Sequence, residues 1–263
     1  MSNGNRPTRP HEPKRLARVM VAALIALGAP ATAGVVIDQQ ITMPDAQGAA
    51  KTVTHTTMIQ GNRMKTVSPE STTIMDLDKG TIVRLDDKTK TATEIPLKSV
   101  SSFMALGLTG EFKPTGAKKT IAGHSCDEYT HHFSSRRGDV SSTTCISRSA
   151  PGAAEASAFY HHMVEKVGSV DASKALPEGI SLADEATMKM KPIEISNMPP
   201  DVAKKVAEAQ AKQAPHTTKS VVTSIKQQSL AADALIVPSG YSVRQFDPSA
   251  RRGKPGGAPP PQN

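Results

Sequence analysis

The residues of this chain best suited to chemistry are its histidines: His131-His132 and His161-His162 form adjacent pairs, and His124 lies two positions before Cys126. Imidazole and thiolate together build zinc sites, but such sites announce themselves by spaced ligands. Neighbouring residues point to opposite faces of a strand and diverge by about a third of a turn on a helix, so neither pair can chelate as a unit. Surface and rim positions are expected for these histidines, and no metal site is assigned. Met188, Met190 and Met198 are soft donors of the kind copper takes. Their spacing matches no coordination geometry, and methionine more often fills cores or lines ligand cavities. Serine is plentiful, yet the chain contains no G-x-S-x-G elbow and neither phosphate-cradling pattern, G-x-x-x-x-G-K-[ST] or G-x-G-x-x-G. A non-enzymatic protein with no cofactor is the expectation.

The two cysteines, Cys126 and Cys145, point to compartment rather than catalysis. Arg6, Arg9, Lys14, Arg15 and Arg18, opposed only by Glu12, precede the apolar run Val21–Ala29, and Ala31-Thr32-Ala33 then supplies a small-x-small cleavage pattern. This is the layout of a signal peptide, with the cut expected between Ala33 and Gly34. The apolar run falls short of the roughly 20 residues a membrane-spanning helix needs, so no integral span is expected after cleavage. An exported chain meets an oxidising compartment, and a Cys126–Cys145 disulfide follows. The whole chain carries +8; residues 1–33 hold five basic groups and one acidic, which leaves +4. With 3% aromatics and no basic cluster, the stacking and charge that nucleic-acid binding demands are missing.

Strands must position these residues. Val35, Ile37, Ile41 and Met43 alternate with polar residues, and Lys51–Ile59 repeats the scheme up to the turn pair Gly61-Asn62, after which Arg63–Val67 returns. Three short β-prone runs follow, Thr72–Asp76, Thr81–Leu85 and Thr91–Ile95. The acids between them, Asp76, Asp78, Asp86 and Asp87, lack the spacing of a calcium loop and read as hairpin turns. Ser99–Leu108 reads as a short helix bearing Phe103 and Met104. Cys126–Phe133 and Val140–Ser147 form a hairpin around Arg136-Arg137-Gly138-Asp139. Strand alternation sets Tyr129 and Phe133 opposite Cys126, and Val140 and Ile146 opposite Cys145. Both thiols are thus expected on the outer, polar face, as direct or diagonal cross-strand neighbours.

Pro151–Val167 carries the best helical stripe, with Ala156, Phe159, Tyr160, Met163 and Val167 on one side. Residues 177–213 read as an insertion, with strand character at Lys189–Ile195 and a loosely held surface helix at Asp201–Gln213. Ser220–Leu230 reads as a strand, Leu235–Tyr241 as the last ordered element, and 248–263 as an Arg/Gly/Pro tail too poor in apolar residues for a core. Residues 34–247 therefore form one α+β domain. A sheet with one apolar face under an amphipathic helix either packs solid or leaves a cleft for an apolar ligand. Phe103, Met104, Tyr129, Phe133, Phe159, Tyr160 and Met163 are the candidate cavity residues.

Four segments together, Gln60–Met64, Ile74–Gly80, Ile121–Tyr129 and Val237–Tyr241, resemble a secreted bacterial family catalogued as a domain of unknown function, itself similar to the LolA/LolB lipoprotein carriers. The resemblance implies a curved antiparallel sheet, an unclosed half-barrel whose concave face is covered by helices and, in the carriers, shelters acyl chains. The leading expectation is a periplasmic binding protein for an apolar or lipidic ligand. An envelope stress or assembly protein, docking through the Lys/Ala helix and the basic tail, comes second, and a metal-handling protein third.

Overall fold

The computed structural model describes residues 1, 33–45, 47–99, 111–134, 138–167, 176–191, 202 and 215–247. The chain divides into two units, Met1–Ala31 and Thr32–Asn263, and every element below belongs to the second. In chain order these are β1 (Gly34–Pro44), β2 (Ala50–Gln60), β3 (Arg63–Val67), β4 (Thr72–Asp76), β5 (Thr81–Asp86), β6 (Thr91–Pro96), β7 (Phe112–Ile121), β8 (His124–Ser134), β9 (Gly138–Ser147), α1 (Ala153–Lys166), β10 (Ile180–Met190), β11 (His216–Gln228) and β12 (Ser242–Gln245). All twelve strands join one open sheet in the order β12-β6-β5-β4-β3-β2-β1-β11-β10-β9-β8-β7. Every pairing is antiparallel except β12 on β6.

Alternation decides which face each residue serves. Val35 pairs with Ile59, Ile59 with Met64, Met64 with Met75 and Met75 with Ile82, so one apolar row crosses β1 to β5. This row belongs to the main core, which also takes in Ala156, Phe159, Met163 and Val164 of α1. The opposite face is apolar too, where Ile74, Leu85 and Ala92 are sealed by Val83, Val237 and Tyr241. The segment Leu235–Tyr241 thus serves as a strap over β4–β6 and delivers the chain to β12.

The acids of the meander hold turns. Asp76 accepts the Lys79 N–H at 3.0 Å and pairs with Arg63 at 3.0 Å, while Asp86 accepts the N–H groups of Lys88 and Thr89. Helix α1 opens on Gly152, whose left-handed φ of 73° brings the backbone against Val35. Two bonds fasten the helix to the β2–β3 turn: His162 Nδ1 lies 2.9 Å from Asn62 Oδ1, and Glu155 accepts the Gly61 N–H.

Three strands correct the sequence reading, one of them β12, which follows Leu235–Tyr241, the segment expected to be the last ordered element. β7 carries Lys113, Pro114, Gly116, Lys118 and Lys119, a composition that hides a strand but suits the sheet edge it forms, where charge and proline discourage further pairing. β10 runs Ile180–Met190, rather than Lys189–Ile195, and is hydrogen-bonded on both sides. This part of the expected 177–213 insertion is therefore integral to the sheet. Residues 192–201 and 203–214 lie outside the described residues, as does the tail 248–263. Residues 97–99 are helical, and the rest of the helix expected at Ser99–Leu108 lies outside the described residues, with Phe103 and Met104.

The cysteines bond at an Sγ–Sγ distance of 2.11 Å with Cα atoms 5.4 Å apart. Glu128 faces Cys145 in the register, so Cys126, two residues away, is the diagonal neighbour. Its location is a correction. Cys126 and Cys145 are 2% and 3% exposed and belong to the main apolar cluster, not to a solvated outer face. A cystine has surrendered its polar S–H groups and buries like a hydrocarbon, and alternation fixes which face a residue shares without saying what covers that face.

Candidate functional site

Beneath α1, the sheet and helix do not close on each other across β8–β11, and a cavity of about 530 Å³ remains. The floor follows from register. Thr144 of β9, Asp184 of β10 and Ser220 of β11 lie side by side, forming a polar belt across three strands. One step along, Ser142 faces Ala186, and beyond that Val140 faces Met188. β8 continues these rows with His131 opposite Ser142 and Phe133 opposite Val140. Tyr160, His161 and Ser157 enter from α1, and Leu176, Pro177 and Gly179 close one side.

His131 is 3% exposed, against the rim position expected of it. Its ring stacks on Phe112 with centroids 4.3 Å apart and planes 3° from parallel, and Phe133 leans on it at 5.6 Å. The phenyl ring that covers it comes from β7, the strand hidden in the sequence. His132, its neighbour, points away to Ser141 at 3.0 Å. Likewise His161 lines the cavity while His162 faces Asn62. Neither pair acts as a unit, and among the described residues no three His, Cys, Asp or Glu side chains are grouped to hold a metal ion.

Of the candidate cavity residues, Phe133 and Tyr160 line the space. Phe159 and Met163 instead fill the core, at 1% and 7% exposure, and Tyr129 lies in the Thr144 row on β8 without reaching the cavity. The helical stripe identified one side of α1, but part of that side meets β1 and β2 while the adjoining part overhangs the void.

The residue that sequence reasoning missed is Asp184. Its neighbour Glu185 points outward and pairs with Lys219 at 3.0 Å. Asp184 points inward, and its carboxyl makes no hydrogen bond or ion pair with a described residue. The Thr144 hydroxyl beside it is committed elsewhere, donating to the Ala183 carbonyl at 3.2 Å and bonding Ser181 at 3.0 Å. Burial alone holds the Asp184 carboxyl above its ordinary value of 3.8. Burial also raises the Tyr160 phenol.

The sign for stability follows from linkage. An acid whose folded pKa lies above its unfolded value binds its proton more tightly in the native state, so its charged form works against folding. The cost is absent below the unfolded carboxylate range, near pH 3.9, grows as pH rises through the raised folded pKa, and is full at neutrality. Asp184→Asn should therefore melt a few degrees higher than wild type at pH 7 and coincide with it at pH 3. A lower melting temperature at pH 7 would show that the carboxylate has a stabilising partner.

No protein-family model and no curated protein matches the chain. Among solved structures, PNGF-II in two crystal forms aligns with 84% of this chain at TM-score 0.42 and 10% and 9% identity; the chain spans about a third of it, 32% and 33%. The LolA superfamily protein NE2245 from Nitrosomonas europaea aligns over 79% of this chain and 91% of its own, at TM-score 0.31 and 9% identity. A putative outer membrane lipoprotein-sorting protein domain from Vibrio parahaemolyticus aligns over 77% and 88%, at 0.32 and 8%. These TM-scores all lie below 0.5, and neither family nor function follows from them. What the chain's own geometry defines is a class, an open and mostly antiparallel twelve-stranded sheet with a helix-walled cavity.

Proposed function

We propose that this chain is an exported, non-enzymatic binding protein that holds an apolar or lipidic ligand between α1 and strands β8–β11. The observation that carries the reading is the cavity itself. Its volume, about 530 Å³, falls in the range of small-molecule sites, roughly 300–1,000 Å³. Ile37, Phe133, Val140, Ile146, Ile180 and Met188 give it apolar walls, and a few polar groups converge at the belt. Export is supported by the basic and apolar N-terminus and by a disulfide that a reducing cytoplasm would not favour. Among the described residues no helix is long and apolar enough to cross a membrane. The second and third readings, protein docking and metal handling, gain no specific observation.

A substitution that fills the space tests the function. Ala186 lies at the centre of the floor between Ser142 and Thr218. Ala186→Phe should abolish binding of the apolar probe diphenylhexatriene while circular dichroism stays unchanged. Equal probe binding by variant and wild type would place the ligand elsewhere and overturn the assignment.

A further inference from the structure

We infer that the cavity selects an amphiphile with a protonated amine head, an alkylammonium or arylalkylammonium group seated against Asp184 with its apolar body among Val140, Phe133 and Met188. This rests on the cavity being a ligand site and adds the chemistry of the head group. Asp184 has no ion pair or side-chain hydrogen bond among the described residues, although Glu185 beside it and Glu128 and Asp127 on β8 all pair with lysine. A carboxylate in a largely apolar recess is costly unless a cation or a set of donors meets it. The Thr144 hydroxyl beside it supplies little, because it already serves Ser181 and Ala183.

Geometry gives the ligand its direction. From Asp184 the strand runs through Ala186 to Met188, about 13 Å at the usual rise. Along this path the polar belt gives way to Val140, Phe133 and Met188, flanked by the Phe112–His131 stack. Among the described residues the titratable groups facing the recess are Asp184 from β10, His131 from β8, and Tyr160 and His161 from α1; the polar groups that β9 and β11 present there are hydroxyls. Among the described residues no lysine or arginine lines the cavity. The rest of the protein is basic, +4 after removal of residues 1–33. Long-range charge therefore favours anions, and a preference for amines has to arise locally.

The test compares three probes of equal chain length, dodecylamine, dodecanol and dodecanoic acid, titrated calorimetrically into the mature protein at pH 7.5. The amine should bind at least tenfold more tightly than the alcohol, a ratio that corresponds to a charge-assisted hydrogen bond, and the acid more weakly than the alcohol. Asp184→Asn should lower amine affinity to the level of the alcohol and leave dodecanol unchanged, which also reports that the cavity is intact. Glu185→Gln, one residue away on the opposite face, should change nothing. Binding of all three probes with equal affinity, or an amine preference that survives Asp184→Asn, would overturn the head-group assignment while leaving the cavity as a lipid site. Failure of all three to bind would remove both.

Discussion

Phe159→Ala should cost about 3–5 kcal/mol of folding stability and should do so without being a ligand-contact mutation. The ring is 1% exposed, meets Tyr160 edge-to-face at 5.7 Å, and belongs to the cluster that includes Val35, Ile59, Ala156 and Met163. Its removal leaves a void where α1 crosses β1 and β2, and backbone tied by the Glu155 and His162 anchors cannot collapse to fill it. A loss of this size is a large fraction of a typical domain's 5–15 kcal/mol, and urea denaturation with a fixed slope would measure it. The contrast is Phe133→Ala. That ring is only partly buried and borders the cavity, so its removal should weaken probe binding more than it weakens the fold. If Phe159→Ala proved nearly neutral for stability but eliminated ligand, α1 would overhang a larger cavity than the one described.

Loss of the disulfide is the second large effect. The bridge closes a loop of 19 residues, for which chain entropy gives about 3 kcal/mol. Cys126→Ala with Cys145→Ala also removes two buried groups, so the measured loss should be at least that. Reductant should lower the urea midpoint of wild type and have no effect on the double variant. Because both cysteines are almost fully buried, reduction should require unfolding, and the native protein should resist thiol labelling in dithiothreitol for as long as it stays folded. Rapid labelling under native conditions would place the bridge on a solvated face after all.

The strands legible in the sequence are those with clean alternation and a turn at each end. β1 to β6 fall within a residue or two of where Val35, Ile37, Ile59, Ile74 and Leu85 set them, each being a β-prone run bounded by turn residues. Helix α1 was legible for the corresponding reason at a period of 3.6. Three strands were hidden: β12 is a four-residue edge strand too short to show a period, and in the other two, competing pressures overrode the pattern. In β7 the lysines and proline protect an edge, and in β10 Asp184 occupies an inward position that alternation reserves for an apolar side chain. That violation was the available signal, since a local rule broken inside an otherwise consistent element marks functional sites. Finding it required knowing that β10 was a strand and which way it faced. Of the candidate site, Phe133 and Tyr160 came from strand parity and the helical stripe. His131 was discounted as a rim residue because Phe112, its stacking partner, belongs to the unrecognised edge strand. The cystine pair was legible, with direct and diagonal pairing both open; its burial was not, since that depends on covering elements distant in sequence.

The most direct test of the central claim is native mass spectrometry of the mature protein purified from its own cell envelope, followed by organic extraction. The account predicts a chain that begins at Gly34, two hydrogens lighter than the reduced mass, carrying one apolar molecule that extraction releases and that is absent from Ala186→Phe. A bare polypeptide mass in both proteins, with no extractable apolar compound and no uptake of added diphenylhexatriene, would contradict it.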